Sequence, residues 1–255
     1  MKTIVPVIIA AVLVLQSGCA SKKKPTETDA STPGGETSAL EDRKKSSALR
    51  QQIVQLAKQE WQYFGKQVIQ LNGDEESIPH VGKWEDDGGP YTARVNTYWR
   101  SVGKPGLDGM DCKQPWSAAF ISWVMDSAGV PHSLFPPDDA HWGYVHYILD
   151  HSDSANSGFI GHSITEYKPR PGDLICATRG NRGYTPVYAM DPITVLQGHS
   201  KLHCDIVVEH NGNQIGVIGG NVRNSVSKTV MNLSPEGRLQ ISERRPWFVV
   251  LENRL

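Results

Sequence analysis

Apolar side chains recur at three- and four-residue steps over residues 47–71, which indicates an amphipathic helix with one buried stripe. Gly73 and the polar, glycine-rich stretch after it end this pattern. A second, shorter helix is predicted over residues 92–102, where the large apolar residues again fall on one face. The folded part of the chain is therefore expected to begin with helices.

The third apolar segment, residues 117–128, is apolar on nearly every side. That pattern is typical of a helix buried at the centre of a domain. Pro115 disfavours helix in the residue before it, so this helix is predicted to begin one or two residues after the proline. A fourth helix is predicted next, capped by Asp138 or Asp139 and continuing to about Ile148.

Beyond residue 171 the pattern changes to short apolar runs typical of strands. Helices followed by strands predict an α+β fold in which an antiparallel sheet packs on the helices. The polar segment over residues 179–201 is predicted to be a loop beside the functional site, because loops of this length are usually functional or mobile. The predicted strands cover residues 174–178, 204–209, 214–219 and 247–252.

The first 19 residues have the organisation of an export signal, with a charged start, an apolar run over residues 4–15 and small residues before Cys19. This run is shorter than the ~20 residues needed to span a bilayer, which favours a processed signal over a transmembrane helix. Ser17-Gly18-Cys19 resembles the bacterial lipobox, which implies lipidation of Cys19 and attachment to a membrane. Gln16 departs from that motif, and simple secretion is the alternative. The residues after the cysteine resemble those of outer-membrane lipoproteins that face the periplasm.

The remaining chain divides into a linker and one domain. Residues 20–46 contain almost no large apolar side chain, so they are predicted to form a disordered tether. Residues 47–255 have the length of one domain with a single core.

Charge and histidine spacing argue against two kinds of ligand. The chain carries 26 Lys and Arg residues against 27 Asp and Glu residues, a formal charge of −1, so no field draws in a polyanion and no nucleic-acid partner is expected. The nine histidines show no His-Glu-x-x-His pattern and the cysteines no paired spacing, so neither a metal nor another cofactor is predicted.

Three cysteines follow Cys19, namely Cys112, Cys176 and Cys204. An exported protein sits where disulfides form, and an odd number leaves at least one thiol over or paired between chains. Cys176 and Cys204 fall on strands expected to be neighbours, so they are the first pair to test, although spacing alone leaves the connectivity open.

Four short blocks follow one another along the folded part of the chain. They are Pro-Trp-Ser-Ala-Ala-Phe-Ile-Ser-Trp-Val from Pro115, Pro-Gly-Asp-Leu-Ile from Pro171, His-Cys-Asp-Ile-Val from His203 and Ile-Gly-Gly-Asn from Ile218. In this order they resemble the successive blocks of the CHAP and NlpC-type papain-like amidases, and a related bacterial domain family of unknown function carries the same Trp-Ser-Ala-Ala-Phe. The resemblance covers roughly residues 47–255 and implies a papain-like domain that cuts amide bonds of cell-wall peptide.

The resemblance implies a catalytic trio. Ser117 stands where those amidases carry cysteine, at a helix start where backbone N–H groups favour an anion. His203 is expected to act as general acid and base, and Asn221 to fix its tautomer. Trp116, His141 and Asp205 are predicted to contact substrate.

Three of these residues also have a simpler interpretation. Ser117 suits a helix N-cap, Trp116 suits the core, and an exposed histidine at a helix start is the commoner explanation of His141. Asp205 lies on the same face of its strand as His203, whereas Cys204 points to the core.

The sequence leaves three functional hypotheses. In the first, the chain is a serine hydrolase of the cell envelope. In the second, it is an inactive relative that binds peptidoglycan or an envelope protein, because a site arranged for sulfur is not automatically arranged for a serine hydroxyl. In the third, Cys112 is the nucleophile, but the neighbouring Asp111 would raise the pKa of its thiol.

Overall fold

The structure is a computed structural model that describes residues 33–154, 157–180, 186–198 and 201–255, with side chains from residue 45 onward. The predicted export signal, including Cys19, and residues 20–32 of the predicted tether lie outside this part of the chain. None of the helices in these ranges is long and apolar enough to cross a membrane. The helices are α1 (Pro33–Tyr63), α2 (Gly89–Ser101), α3 (Ser117–Ser127), α4 (His141–Asp150) and α5 (Pro192–Gly198), with a short 3-10 helix at Val187–Ala189.

The strands of the described residues form one eight-stranded sheet in the order β2-β1-β7-β6-β5-β4-β8-β3. The α+β class is therefore confirmed. The sheet is mixed, because β1 pairs in parallel with β7, so the prediction of a wholly antiparallel sheet is wrong. Hairpin neighbours must run antiparallel, but β1 and β7 are far apart in sequence and no tight turn sets their direction. The strands are β1 (Val68–Asn72), β2 (Glu75–His80), β3 (Phe159–Ser163), β4 (Leu174–Thr178), β5 (Leu202–Asn211), β6 (Gln214–Val222), β7 (Ser225–Asn232) and β8 (Trp247–Asn253).

Helix α1 differs from its prediction at both ends. It begins at Pro33, so residues 33–46 are helical and not a disordered tether. Proline is favoured in the first helical turn, and the segment behind it contains Ala, Leu, Glu, Lys and Arg, which are good helix formers without an apolar face. Helix α1 ends at Tyr63 because Gly65 adopts a positive φ of 75° and turns the chain into β1.

The other helices follow the sequence more closely. Helix α3 begins at Ser117, as Pro115 predicts, and almost all of it is buried. Helix α4 begins at His141 without a side-chain cap; Asp138 accepts the backbone N–H of Ala140 at 2.7 Å instead. The predicted loop over residues 179–201 is wrong in part, because the 3-10 helix and α5 lie within it.

Four strands, β1, β2, β3 and β7, were not expected from the hydrophobic pattern. Strand β2 is mostly exposed, so no apolar alternation marks it. Strand β7 buries Ser225, Ser227 and Thr229 in place of apolar residues. The amide of Gln67 donates a hydrogen bond to Ser227 Oγ at 2.8 Å, which stabilises one of these buried hydroxyls.

The sheet separates two clusters of apolar side chains. The larger one lies between the helices and one face of the sheet and contains Cys204 and Ile206 of β5. The smaller one covers the other face and contains Val207. The predicted alternation of side chains along β5 is therefore confirmed.

Cys176 and Cys204 form a disulfide between the neighbouring strands β4 and β5, with Cα atoms 4.1 Å apart. This is the pair that the strand positions put first. Cys112 is a free, exposed cysteine.

We expect loss of the Cys176–Cys204 disulfide to destabilise the domain. The bond closes a loop with a sequence separation of 28. A loop of that length corresponds to a loss of about 3–4 kcal/mol in the free energy of unfolding when the link is removed. Urea denaturation of Cys176→Ala/Cys204→Ala measures this loss, with Cys112→Ser as the control. An unchanged midpoint in the double variant would contradict the prediction.

Candidate active site

Ser117 is the first residue of α3, and its hydroxyl faces a histidine. Trp116 occupies the N-cap position, so the interpretation of Ser117 as the N-cap is wrong. Ser117 Oγ lies 2.6 Å from Nε2 of His141, and the serine is only 2% exposed. The first turn of a helix leaves backbone N–H groups without partners inside the helix, so negative charge developing near Oγ is stabilised there.

His141 is the first residue of α4, and both ring nitrogens have partners. Nε2 faces Ser117, and Nδ1 is hydrogen-bonded to the hydroxyl of Tyr144 one turn further along. His141 is 5% exposed, so the interpretation of an exposed helix-start histidine is wrong. Burial lowers the pKa of His141 well below its usual value, and the charges of His203 and Arg179 lower it further. In the tautomer whose Nδ1–H donates to Tyr144, the neutral ring accepts the Ser117 hydroxyl at Nε2.

His203 and Asp205 form a second pair on β5. They are two residues apart, so they share one face of the strand, and His203 Nε2 lies 2.9 Å from Asp205 Oδ1. Burial by itself raises the pKa of Asp205, but the charge and hydrogen bond of His203, with the charges of Arg245 and Arg179, outweigh it and hold that pKa below its usual value. Asp205 is therefore a carboxylate at neutral pH. Asp205 is 1% exposed and bonds to His203, which does not agree with the predicted contact with substrate.

The two pairs meet through their imidazoles. The rings of His141 and His203 pack edge to face with centroids 5.4 Å apart. We call Ser117, His141, His203 and Asp205 the Ser-His-His-Asp cluster. Among the residues that the structure describes, no hydrogen bond joins Ser117 to His203 or His203 to Asn221, so the predicted hydrogen-bond pairing of the trio is wrong.

Asn221 turns to Trp116 instead of His203. Its backbone is left-handed, with a φ of 55°. With its amide oxygen facing Trp116, it accepts the backbone N–H at 3.1 Å and the indole Nε1–H at 3.2 Å. The indole also donates to the buried carboxylate of Glu85, whose pKa is raised by burial. Trp116 is 1% exposed, which agrees with the core interpretation and not with a substrate contact.

Two glycines of β6 make room for these groups. A Cβ atom at Gly219 would overlap the carboxylate of Asp205 and lie 3.1 Å from Nε2 of His203. On the other face, a Cβ at Gly220 would lie 2.7 Å from the ring of Phe120 in α3. The Gly-Gly sequence therefore allows β6 to approach the histidine pair and the helix at once.

A cleft of about 1440 Å³ opens beside the cluster. His203 and Asn221 line it, whereas Ser117 and His141 are not among its lining residues. The cluster therefore meets the cleft at His203. Nine of the other 19 lining residues are charged or aromatic, namely Asp74, Glu76, Arg179, Tyr188, Arg223, Glu243, Arg244, Arg245 and Trp247.

Cys112 lies apart from this arrangement. In the described part of the chain, its Sγ contacts only the backbone carbonyls of Gly109 and Met110, at 3.8 Å and 3.5 Å. Without an imidazole beside it, the alternative of a Cys112 nucleophile has no base.

Sequence reasoning missed Tyr144 as the partner of His141, and it placed Asp205 on the same strand face as His203 without predicting their hydrogen bond. Two spacings mark these pairs. His141 and Tyr144 are three residues apart, which places them on one face of a helix. His203 and Asp205 are two residues apart, which places them on one face of a strand. The contact of His141 with Ser117 joins two helix starts and has no local signal.

The fold and this cluster define an α+β protein with a buried serine–histidine pair at the start of its central helix, α3. Residues 58–253 match the family described as "Uncharacterized protein conserved in bacteria (DUF2272)", and the chain belongs to that family. The predicted membership of a bacterial family of unknown function is thereby confirmed, while the relation to CHAP and NlpC-type amidases stays a prediction. No curated protein and no solved structure matches the chain.

We expect the buried His141 to make stability fall in acid. The unfolded chain takes up a proton on this histidine near pH 6.5, whereas burial keeps it neutral in the folded state to lower pH. Its contribution is complete above about pH 6.5, and below that pH the free energy of unfolding falls by up to about 1.4 kcal/mol per pH unit until the folded pKa is reached.

Urea denaturation at several pH values between 7.5 and 5 tests this contribution. The variant His141→Gln should lose this part of the slope, and the exposed His146→Gln should keep it. Equal slopes in wild type and His141→Gln would contradict the assignment.

Proposed function

We propose that the chain is a serine-dependent amide hydrolase of the bacterial envelope that acts on cell-wall peptide. The observation that carries this proposal is the 2.6 Å contact between Ser117 Oγ and Nε2 of a neutral, buried His141. A serine hydroxyl needs a base within hydrogen-bond reach during the reaction, and a histidine of lowered pKa is in the form that accepts a proton.

The first chemical step follows from these contacts. As Ser117 Oγ attacks the carbonyl carbon of the substrate, His141 takes the hydroxyl proton at Nε2, and the carbonyl oxygen becomes an oxyanion. Backbone N–H groups of the first turn of α3 stabilise that oxyanion. Tyr144 keeps the His141 ring in place by accepting its Nδ1–H, because burial raises the pKa of Tyr144 and keeps its hydroxyl protonated.

The second step releases the amine and then the acyl group. The protonated His141 returns its proton to the leaving nitrogen, which breaks the amide bond and leaves an ester on Ser117. A water molecule then attacks this ester and gives its proton to the same imidazole. The bond between Ser117 Oγ and the acyl carbon breaks, His141 returns the proton to Oγ, and the acid product leaves. His203, paired with ionised Asp205, packs against this ring and lines the cleft from which substrate approaches.

Substrate class and location in the cell extend this proposal. Three of the four sequence blocks contribute to this site, which supports a papain-like arrangement. Ser117 and His203 both contact His141, and Gly219 leaves room for Asp205. Asp173 of the other block lies at the opposite end of β4, where it bonds to Arg170 and Asn253. The family is bacterial, and the lipobox-like Cys19 supports an outer-membrane lipoprotein facing the periplasm. Peptidoglycan is the amide-bonded polymer within reach of such an anchor.

A binding protein without catalysis is the second candidate. It is favoured by the burial of Ser117, which is 2% exposed and does not line the cleft among the described residues. In this case the cleft takes an envelope peptide or protein, and the Ser-His-His-Asp cluster serves only to hold α3 and α4 together.

Release of soluble fragments from peptidoglycan, measured by mass spectrometry, separates the candidates. We expect Ser117→Ala and His141→Gln each to lower the rate by about 10²-fold or more, because nucleophile and base act together. Ser127→Ala and His146→Gln change exposed residues of the same two helices and should leave the rate unchanged.

The variant His203→Gln distinguishes the two histidines. A loss in His203→Gln with full activity in His141→Gln would assign the base to His203 and overturn the present assignment. No release by the wild-type protein, with no labelling of Ser117 by a fluorophosphonate, would support the binding protein.

A further inference from the structure

The cleft beside His203 carries an excess of guanidinium groups. Four arginines line it, and three acidic residues stand against them. The whole chain, by contrast, has a formal charge of −1. The four arginines and three acidic residues give the cleft a formal charge of +1 at the place where the cluster meets solvent. The arginines are Arg179, Arg223, Arg244 and Arg245, and the acidic residues are Asp74, Glu76 and Glu243.

The carboxylate of Glu76 interacts with three of these arginines. Glu76 accepts hydrogen bonds from Arg223 and from Nε of Arg244, the latter at 3.1 Å. Arg245 reaches it only as an ion pair, with a nitrogen 3.8 Å from Oε2. The distance to Arg245 exceeds that of a hydrogen bond, so its guanidinium N–H groups are left for another acceptor.

Arg179 has still fewer contacts. Within the described ranges, its side chain makes no hydrogen bond and no ion pair. The negative charge of Asp205 reaches it, but Asp205 Oδ1 is paired with His203, and in the described ranges no hydrogen bond joins Oδ2 to Arg179. Arg179 and Arg245 lie opposite each other, because Ala177 of β4 pairs with Trp247 of β8 and the N–H of Thr178 donates to the carbonyl of Pro246 at 3.1 Å. Loss of hydration and the charge of Arg245 lower the pKa of Arg179.

We propose that Arg179 and Arg245 form a carboxylate-binding subsite, so that the substrate of this site carries a free carboxylate close to the amide bond that is cut. The position of the cut bond rests on the proposed function, whereas the binding of a carboxylate to the two arginines does not. A planar guanidinium binds a carboxylate through two parallel N–H···O bonds, which matches an anion lying between the two arginines.

Charge explains why a carboxylate is favoured over a phosphate. The acidic residues Asp74, Glu76 and Glu243 line the same cleft and oppose a doubly charged group. The single negative charge of a carboxylate reduces the repulsion between Arg179 and Arg245. The second negative charge of a phosphate would in addition lie near Asp205. Ala177, two residues before Arg179, pairs with His203, and both arginines line the cleft with this histidine. The bound carboxylate therefore lies beside His203, whose ring packs against His141.

Binding of two peptides to the full-length Ser117→Ala protein tests the subsite without turnover. The probes are acetyl-Ala-Ala with a free carboxylate and acetyl-Ala-Ala-amide, titrated by calorimetry at pH 7 and low salt. We expect the acid to bind about tenfold more tightly than the amide, as one charge-assisted contact supplies. Arg179→Gln should remove most of this difference, and Arg179→Lys should retain part of it.

The control is Arg100→Gln, which changes an exposed arginine of α2 that bonds only to Asn96 in the described structure. It should keep the tenfold preference. Equal binding of the two peptides, no binding of either at millimolar concentration, or a preference that survives Arg179→Gln would each overturn the subsite. Activity enters none of these outcomes, so the subsite and the hydrolase can fail separately.

Discussion

The close approach of β6 to its neighbours is the constraint on which the site depends. Gly219 leaves room for the carboxylate of Asp205 and the ring of His203 on one face, and Gly220 leaves room for Phe120 on the other. Any side chain at these two positions would push either the histidine pair or α3 away from the sheet. The Ser-His-His-Asp cluster therefore depends on two adjacent glycines that have no side chain.

Burial then determines the chemistry of the groups brought together. The imidazole of His141 loses its hydration and stays neutral, whereas the carboxylate of Asp205 stays ionised because positive neighbours outweigh the effect of burial. Two histidines in edge-to-face contact thus have opposite surroundings, one beside a hydroxyl and one beside a carboxylate. Such a difference lets one ring exchange a proton while the other holds its partner in position.

The parts of the fold that the sequence predicted are those in which one local rule decides the outcome. Pro115 placed the start of α3, and continuous apolar runs marked β4, β5, β6 and β8. The missed strand β7 buries hydroxyls, and one of them, that of Ser227, is hydrogen-bonded by Gln67, a residue distant in sequence. The parallel pairing of β1 is equally non-local, because it requires the rest of the sheet to be in place.

The candidate site divides in the same way. Ser117, His203 and Asn221 were recognised from their blocks, but their hydrogen-bond partners were assigned wrongly, because a motif records residue order and not side-chain direction. The left-handed backbone at Asn221, which turns its amide to Trp116, has no signal in the residues around it. His141 was underrated because its burial depends on the packing of α4 against α3 and β5.

The disulfide between β4 and β5 has a consequence for how this site is assembled. Cys204 lies between His203 and Asp205, and the bond to Cys176 fixes which residues of the two strands face each other. A slip of β5 by one residue would exchange its faces, sending the imidazole into the core and the sulfur into the cleft. Once the two thiols are oxidised, a slipped alignment of β4 and β5 is excluded. The disulfide therefore holds His203 on the face of β5 that lines the cleft.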